Sequence, residues 1–430
     1  MSLFKDLFKL RKSPVVQSVG IYTFANFFSK GVSFLLVFIY TNPKFINPSE
    51  NGLLNLLSNS ILFVMTFVSL GTLQSTSTDF FKLDKKEFKD FFTTGLVMPG
   101  IITVVATAIL FLFRGYLQRT YDFPYYFAFI IPLIAIFTFC YEQLISLIRN
   151  KNQTGLFLKV SLSKTFLELG ISVILVVFFA WRWKGRLAGI TTTYIITTIF
   201  AFYYFYKSGY LFGSIKKKYL YAELVYAIPI IIMQTSVFVI NSSDKFFLSS
   251  YTNDHNETVG IYGTACVFAS VINVLCTAYI QYLFPKIYAT LSAPTIDYNS
   301  LKRNFYYYLI VMTVGSAAIL AFTPFLYHYC INHKYLPGLQ YIFLLGLGNF
   351  LWGIIYYFYS FLLFYKQKRK ILLLSVFTII ISLATNYFFI SRWGAWGAAV
   401  ATTVAYFIAL IVTLIAVRKY LAQIFFNKPI

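Results

Sequence analysis

Acid is scarce in this sequence: 14 Asp and Glu stand against 36 Lys and Arg in 430 residues, and charged residues of both signs make up only 12%. A chain so poor in charge cannot cover a large surface facing water, which excludes an ordinary soluble globule. Histidine is scarcer still. His255, His328 and His333 lie in or beside polar connections, with too few neighbours of the right kind to hold a metal. The four cysteines, Cys140, Cys266, Cys276 and Cys330, share no C-x-x-C spacing, and the first three fall inside apolar runs. Neither zinc nor a disulfide framework is implied. No G-x-x-x-x-G-K-[ST], G-x-S-x-G or H-E-x-x-H motif and no catalytic carboxylate pair is present, so the usual machinery for ATP, ester or peptide hydrolysis is missing.

What fills the chain instead is apolar: 59% hydrophobic residues, 21% of the total aromatic. Lipid is the solvent such a composition needs. The formal charge of +22 is spread in short clusters between apolar runs and makes no single basic face, which argues against nucleic acid. Residues 1–14 interleave Leu3, Phe4, Leu7, Phe8 and Leu10 with Lys5, Lys9, Arg11 and Lys12, without a following small-residue cleavage site. This reads as an interfacial arm and not a removable signal.

About 20 apolar residues are needed to cross the hydrocarbon as a helix. Twelve stretches qualify, near 16–40, 53–77, 92–113, 125–148, 156–180, 187–206, 226–248, 259–280, 305–327, 339–365, 371–390 and 396–417. The expected fold is therefore an all-α integral membrane protein. With both termini on one side, that side carries 24 basic residues and the other nine, which places the termini in the cytoplasm. Asn51-Gly52 and Val259-Gly260 are 208 residues apart, as are Gly189 and Gly397. That lag suggests two six-helix lobes, 15–208 and 223–418, joined by a cytoplasmic linker at 209–222 and followed by a tail at 419–430.

Ionisable groups inside spans are the best functional candidates, because each costs about 2.5 to 3.5 kcal/mol at a helix centre unless paired or solvated. Lys30 has no opposite charge on its own helix, and Asn26 lies one turn away on the same face. Gln234 follows Asn26 by the same 208 residues. A shared polar cavity or a hydrogen bond between packed helices accounts for both amides. Lys164 and Glu168 are four apart and suited to pair on one helix face, with Lys159 earlier in that span and Glu142 in the one before. They line a cavity or neutralise one another. Asp244 and Lys245 fall at the end of the seventh span, where snorkelling makes charge cheap and a local structural role is expected. Pro99, Pro132 and Pro229 interrupt spans, and Pro229 is a candidate hinge.

The stretch Ile228-Pro229 to Gln234, then Ser243-Asp244-Lys245, then Val259-Gly260-Ile261-Tyr262, resembles the hallmark of polysaccharide transporters. Asn47-Pro48 before the second span and Gly394-Ala395-Trp396-Gly397 before the twelfth resemble the same family, the Wzx-type O-antigen flippases of the MOP exporter superfamily. That resemblance implies a multi-pass protein of the bacterial inner membrane that is not an enzyme. Its cargo would be an undecaprenyl-pyrophosphate-linked oligosaccharide, flipped by alternating access through a cationic central cavity. Membrane lipid and polysaccharide-assembly proteins are the implied partners. No cofactor is implied, and a coupling ion, H⁺ or Na⁺, is left open. Relatives often carry an Arg near the end of the second span, where this chain has Thr78-Asp79-Phe80, so one expected cation is missing or displaced. A cation-coupled drug exporter of the same fold is the alternative, although it would want more acid in the cavity. A membrane polymerase or acyl transferase is the alternative of another class, although its catalytic groups would need a larger external loop. Single-cysteine labelling in a background without native cysteines should find Ser214 accessible from the cytoplasm and Asn253 from outside.

Overall fold

The computed structural model describes residues 27–29, 31–32, 34–252 and 254–426. The arm at 1–14, Asn26 and Lys30 lie outside the described residues. Every regular element among those described is helical. In chain order they are α1 (Phe27–Tyr40), α2 (Pro48–Ser69), α3 (Thr72–Asp79), α4 (Lys85–Leu112), α5 (Arg114–Tyr121), α6 (Phe127–Asn150), α7 (Thr154–Val173) and α8 (Arg182–Lys207). They continue as α9 (Lys217–Tyr251), α10 (His255–Ala269), α11 (Val271–Leu291), α12 (Tyr298–Cys330), α13 (Leu339–Phe364), α14 (Lys368–Ala416) and α15 (Arg418–Phe426). Among the described residues, ten helical segments are long and apolar enough to cross a bilayer, α10 and α11 counting as one. α1 is shorter in its described extent.

Two departures from the expected spans have backbone causes. The second span is not one helix: Leu70 (φ 44) and Gly71 (φ 69) turn left-handed between α2 and α3. The last two spans run on as α14, whose 49 residues would extend about 73 Å at 1.5 Å per residue, more than twice the hydrocarbon thickness. Gly394 (φ 52, ψ −129) breaks that helix in two.

Helix starts follow their capping residues. Asn47 accepts from the Glu50 amide at 2.8 Å, and the Glu50 carboxylate accepts the Asn47 amide at 3.0 Å, a reciprocal box that opens α2. Asp84 caps α4 by accepting from the Glu87 amide at 2.7 Å. The connection from α8 to α9 is tied along the start of α4. The Ser214 amide donates to Asp90 at 2.7 Å, Lys216 pairs with Asp90 at 2.5 Å, and the Gly213 amide donates to Thr93 at 2.9 Å. The Asp90 carboxylate holds the Lys216 ammonium above its ordinary pKa.

The chain forms two compact units, one of 1–40, 57–119 and 123–231, the other of 41–56, 120–122 and 232–430. In the first, α4, α6 and α8 pack around Phe88, Phe92, Leu144, Leu147, Ala201 and Phe205. In the second, α11, α12 and α13 close over Ile272, Ile280, Tyr308, Met312 and Tyr357, and the Tyr308 hydroxyl donates to the Gly353 carbonyl at 2.7 Å.

Lipid supplies no hydrophobic drive between helices, so small residues that admit close packing matter more than in water. Within the second unit a β-carbon on Gly52 would fall on the Asn256 carbonyl, and one on Gly260 would fall on the Pro48 carbonyl. Shifting one contact by 208 residues in opposite senses gives the other. Gly263 meets Asn55, also 208 residues before it, with the amide carbon 2.9 Å from the added β-carbon. The α2 and α10 starts thus touch through equivalent positions, as two copies of one motif do around a two-fold axis. Gly52→Ala and Gly260→Ala should each lower stability by at least about 1–3 kcal/mol, the usual range for overpacking. Gly100→Ala, where the new methyl meets open space, serves as the control in thermal unfolding of the solubilised protein.

Candidate functional site

The first unit holds the densest cluster of in-span charge among the described residues. Lys164 lies ten residues into α7, about 15 Å along the helix at 1.5 Å per residue. Glu168 follows one turn later on the same face. Their ion pair is formed at 2.8 Å. Arg186, four residues into α8, closes on the other carboxylate oxygen of Glu168 at 2.7 Å and donates to the Ser172 hydroxyl at 3.0 Å. One carboxylate is therefore shared by two cations, with net charge +1.

Gly189 makes this approach feasible, because a β-carbon there would strike the Ser172 hydroxyl. Beyond Ser172, α7 widens into a π-helical turn at Ile174–Phe178. Aromatic faces complete the shell: Lys164 lies 4.8 Å from the Tyr194 ring and Arg186 lies 5.3 Å from the Tyr40 ring. α1 runs alongside, with the Thr165 hydroxyl donating to Ser29 at 2.9 Å.

A cleft of about 540 Å³ opens next to this cluster, lined by Leu73, Gln74, Ser77 and Thr78 of α3 and by Glu142, Ser146 and Arg149 of α6. Ser77 and Ser146 are hydrogen bonded at 2.8 Å across it. Glu142 is within electrostatic reach of both Arg149 and Lys164. The volume suits a small polar ligand or headgroup.

Of the residues singled out by sequence, Lys164, Glu168 and Glu142 come together here. Lys159 does not join them: its side chain is exposed, and at 100° per residue it lies about 140° around α7 from Lys164 and about 180° from Glu168. Gln234 is half-buried in the second unit, and Pro229 lies exposed within the continuous helix α9 of the first. Asn26 and Lys30 fall outside the described residues. Arg149 and Arg186 lie just outside the expected spans 125–148 and 187–206, so the sequence does not mark them as site residues. α8 in fact begins at Arg182, five residues before the apolar run starts, and the chain places Arg186 inside the helical stack.

Asp244 and Lys245 also depart from expectation. They do not snorkel, being 3% and 6% exposed. The Tyr262 hydroxyl donates to Asp244 at 2.6 Å, the Lys245 ammonium lies 3.4 Å from the same carboxylate, and Thr402 donates to it at 3.4 Å. The Asp-Lys pair and the Tyr of the Val-Gly-Ile-Tyr stretch thus meet in one buried network. It bonds α9 to α10 and to the second half of α14. Nearby, the Asn386 amide of the first half donates to Ser243 at 2.8 Å. Among the described residues no group of three His, Cys, Asp or Glu is placed to hold a metal.

Helices of this length and composition define a multi-pass membrane protein. Solved structures share the fold. The Lipid II flippase MurJ in an inward closed conformation superposes with a TM-score of 0.74 at 13% identity, covering 92% of this chain and 87% of that one. An inward-facing multidrug resistance MATE family transporter of the MOP superfamily gives 0.65 at 13% identity, over 90% and 95%. MATE in the straight conformation gives 0.64 at 15% identity, over 96% and 98%. No curated protein sequence matches the chain. The family model described as polysaccharide biosynthesis protein matches residues 15–291, and the chain belongs to that family.

Glu168→Ala would leave two cations in the helical stack without their shared counter-charge. It should lower stability by about 3–5 kcal/mol, the range for breaking a buried pair from one side. Lys164→Met, which leaves Glu168 with Arg186, should cost less in the same thermal unfolding assay.

Proposed function

We propose that this protein flips an undecaprenyl-pyrophosphate-linked oligosaccharide from the cytoplasmic to the outer leaflet of a bacterial inner membrane. Transport runs by alternating access of two six-helix lobes, 15–208 and 223–418, with both termini in the cytoplasm. Membership of the polysaccharide biosynthesis family supports a glycan cargo. The fold shared with a Lipid II flippase supports one borne on lipid.

The observation that carries this reading is the Lys164–Glu168–Arg186 cluster. A pyrophosphate moving through hydrocarbon needs counter-charge and hydrogen-bond donors, and a +1 cluster supplies both without the cost of two unpaired cations. Arg149, lining the same cleft as Thr78, supplies a cation close to where relatives carry an Arg at the end of the second span. With Glu142 counted, the set holds three cations and two carboxylates, still net positive. A carrier of cationic drugs would want the opposite balance. Lys30 of the first span is proposed to add a further cation to the path, and Asn26 and Gln234 are proposed to offer hydrogen bonds to the glycan. Polysaccharide-assembly proteins in the same membrane are the proposed partners.

Lys164→Gln preserves the Glu168–Arg186 pair while removing the surplus charge. Translocation of a lipid-pyrophosphate oligosaccharide in proteoliposomes, read as sugar reaching the far leaflet, should fall about tenfold or more, the worth of one charge-assisted hydrogen bond. Lys30→Ala should act in the same direction. Unchanged translocation in both variants would remove the cationic path.

A further inference from the structure

Glu223 is the one carboxylate among the described residues that is both buried and without a hydrogen-bond partner on either oxygen. It is 3% exposed and stands on α9 four residues before the apolar stretch Ala227–Tyr251. Its surroundings are built around it. Gly95 of α4 makes room: a β-carbon there would lie 2.7 Å from Glu223 Oε1 and 3.1 Å from Thr72 Cγ2. Thr72, Thr76 and Asp79 fall at i, i+4 and i+7 of α3, on one face. The hydroxyls of Thr72 and Thr76 are buried and also without partners. Two turns along α9, Ile230 packs against Gly71, whose left-handed backbone sets the start of α3.

An ionised carboxylate sealed in this way, with no N–H or cation bonded to it, would carry an uncompensated cost of several kcal/mol. The nearby cations are committed elsewhere, Lys216 to Asp90 at 2.5 Å and Lys218 towards Glu87 at 3.9 Å. The charged group of α3 facing Glu223 is Asp79, of like sign, which itself lies 3.7 Å from the Lys82 ammonium. α4 presents Gly95 there, with its Asp90 engaged by Lys216, and α9 itself presents the Tyr219 phenol one turn back. A metal cation is a poor occupant: two carboxylate oxygens and two hydroxyls fall short of the six or more oxygens a hard cation gathers.

We propose that the pocket formed by Glu223, Thr72, Thr76 and Gly95 is a proton-binding site that latches the first turns of α9 onto α3 and α4. With the proton in place the carboxyl is neutral, and its burial costs far less than that of the ionised form. Without it, the carboxylate drives that segment of α9 out of the pocket towards water. Burial, reinforced by the negative charge of Asp79, pushes the Glu223 carboxyl up to about 8. This places the latch's transition near neutrality. A group whose folded pKa is raised holds its proton more tightly in the folded state. Its contribution to stability is therefore complete below its unfolded pKa and is lost as pH rises to the folded value.

The site stands independently of the cargo, so stability and not transport is the readout. In nanodiscs, the full-length Glu223→Gln variant and wild type should melt together near pH 5. Glu223→Gln should gain a Tm advantage that opens as pH rises to about 8 and is constant above it. Asp79→Asn, by removing the like charge, should move the wild-type midpoint to lower pH; a shift to higher pH would count against the proposal. The same change should do nothing to the pH dependence of Glu223→Gln. Parallel pH profiles for wild type and Glu223→Gln would overturn the proposal. So would a wild-type Tm that rises with Na⁺ at fixed pH and loses that response in Glu223→Gln, which would make the pocket a cation site. Should Glu223→Gln fail to fold, the direction of the Asp79→Asn shift decides alone.

Discussion

Charge inside hydrocarbon is tolerated only where an opposite charge or a set of hydrogen bonds meets it, and the arrangement of helices in this protein follows from how each ionised group is met. Glu168 is held by Lys164 along its own helix and by Arg186 from the next. To bring Arg186 there, α8 must lie close on α7, which Gly189 permits. In the second unit Asp244 is held by Lys245 and Tyr262, which fixes α10 against α9. Lys216 on Asp90 fixes the start of α9 on α4. The pairings that cross between helices thus also set helix contacts, and the Lys164–Glu168–Arg186 cluster keeps one surplus positive charge.

Glycine acts as the complement of these pairings. Where water is absent, helices associate through packing and hydrogen bonds, and backbone approach is limited by the smallest side chain at the crossing. Gly52 and Gly260 meet carbonyls of the facing segment, at positions that repeat with the same spacing as the sequence. Gly71 and Gly95 do something different. They leave room for Ile230 and for the unpaired Glu223, which a β-carbon at either position would crowd.

The legible parts of the site were those written along one helix. Lys164 and Glu168 announce themselves because four residues make one turn, and their pairing needs nothing from elsewhere. Arg186 was not legible as a site residue, since Arg182, Lys184 and Arg186 read as a basic connection until the helix is seen to begin before the apolar run does. Glu223 was hidden for the same reason. It precedes the hydrophobic stretch of its helix, and only α3 and α4 turn that apparently solvated position into a buried one. Asp244 and Lys245 depart from the sequence in the same direction: the end of an apolar stretch reads as the membrane surface, whereas α10 and α14 extend the protein interior past it.

The residues in order were enough to establish a helical, lipid-embedded chain, its family likeness, its internal lag of 208 residues and the Lys164–Glu168 pair along one helix. Hydropathy, helical period and short motifs are all read along the chain, and these conclusions draw on nothing else. Tertiary structure alone decided which charges share a partner, where the second span breaks, and that Glu223 stands without one. Those outcomes depend on which helix lies beside which, and distances across a helix interface are not carried by the sequence of either helix.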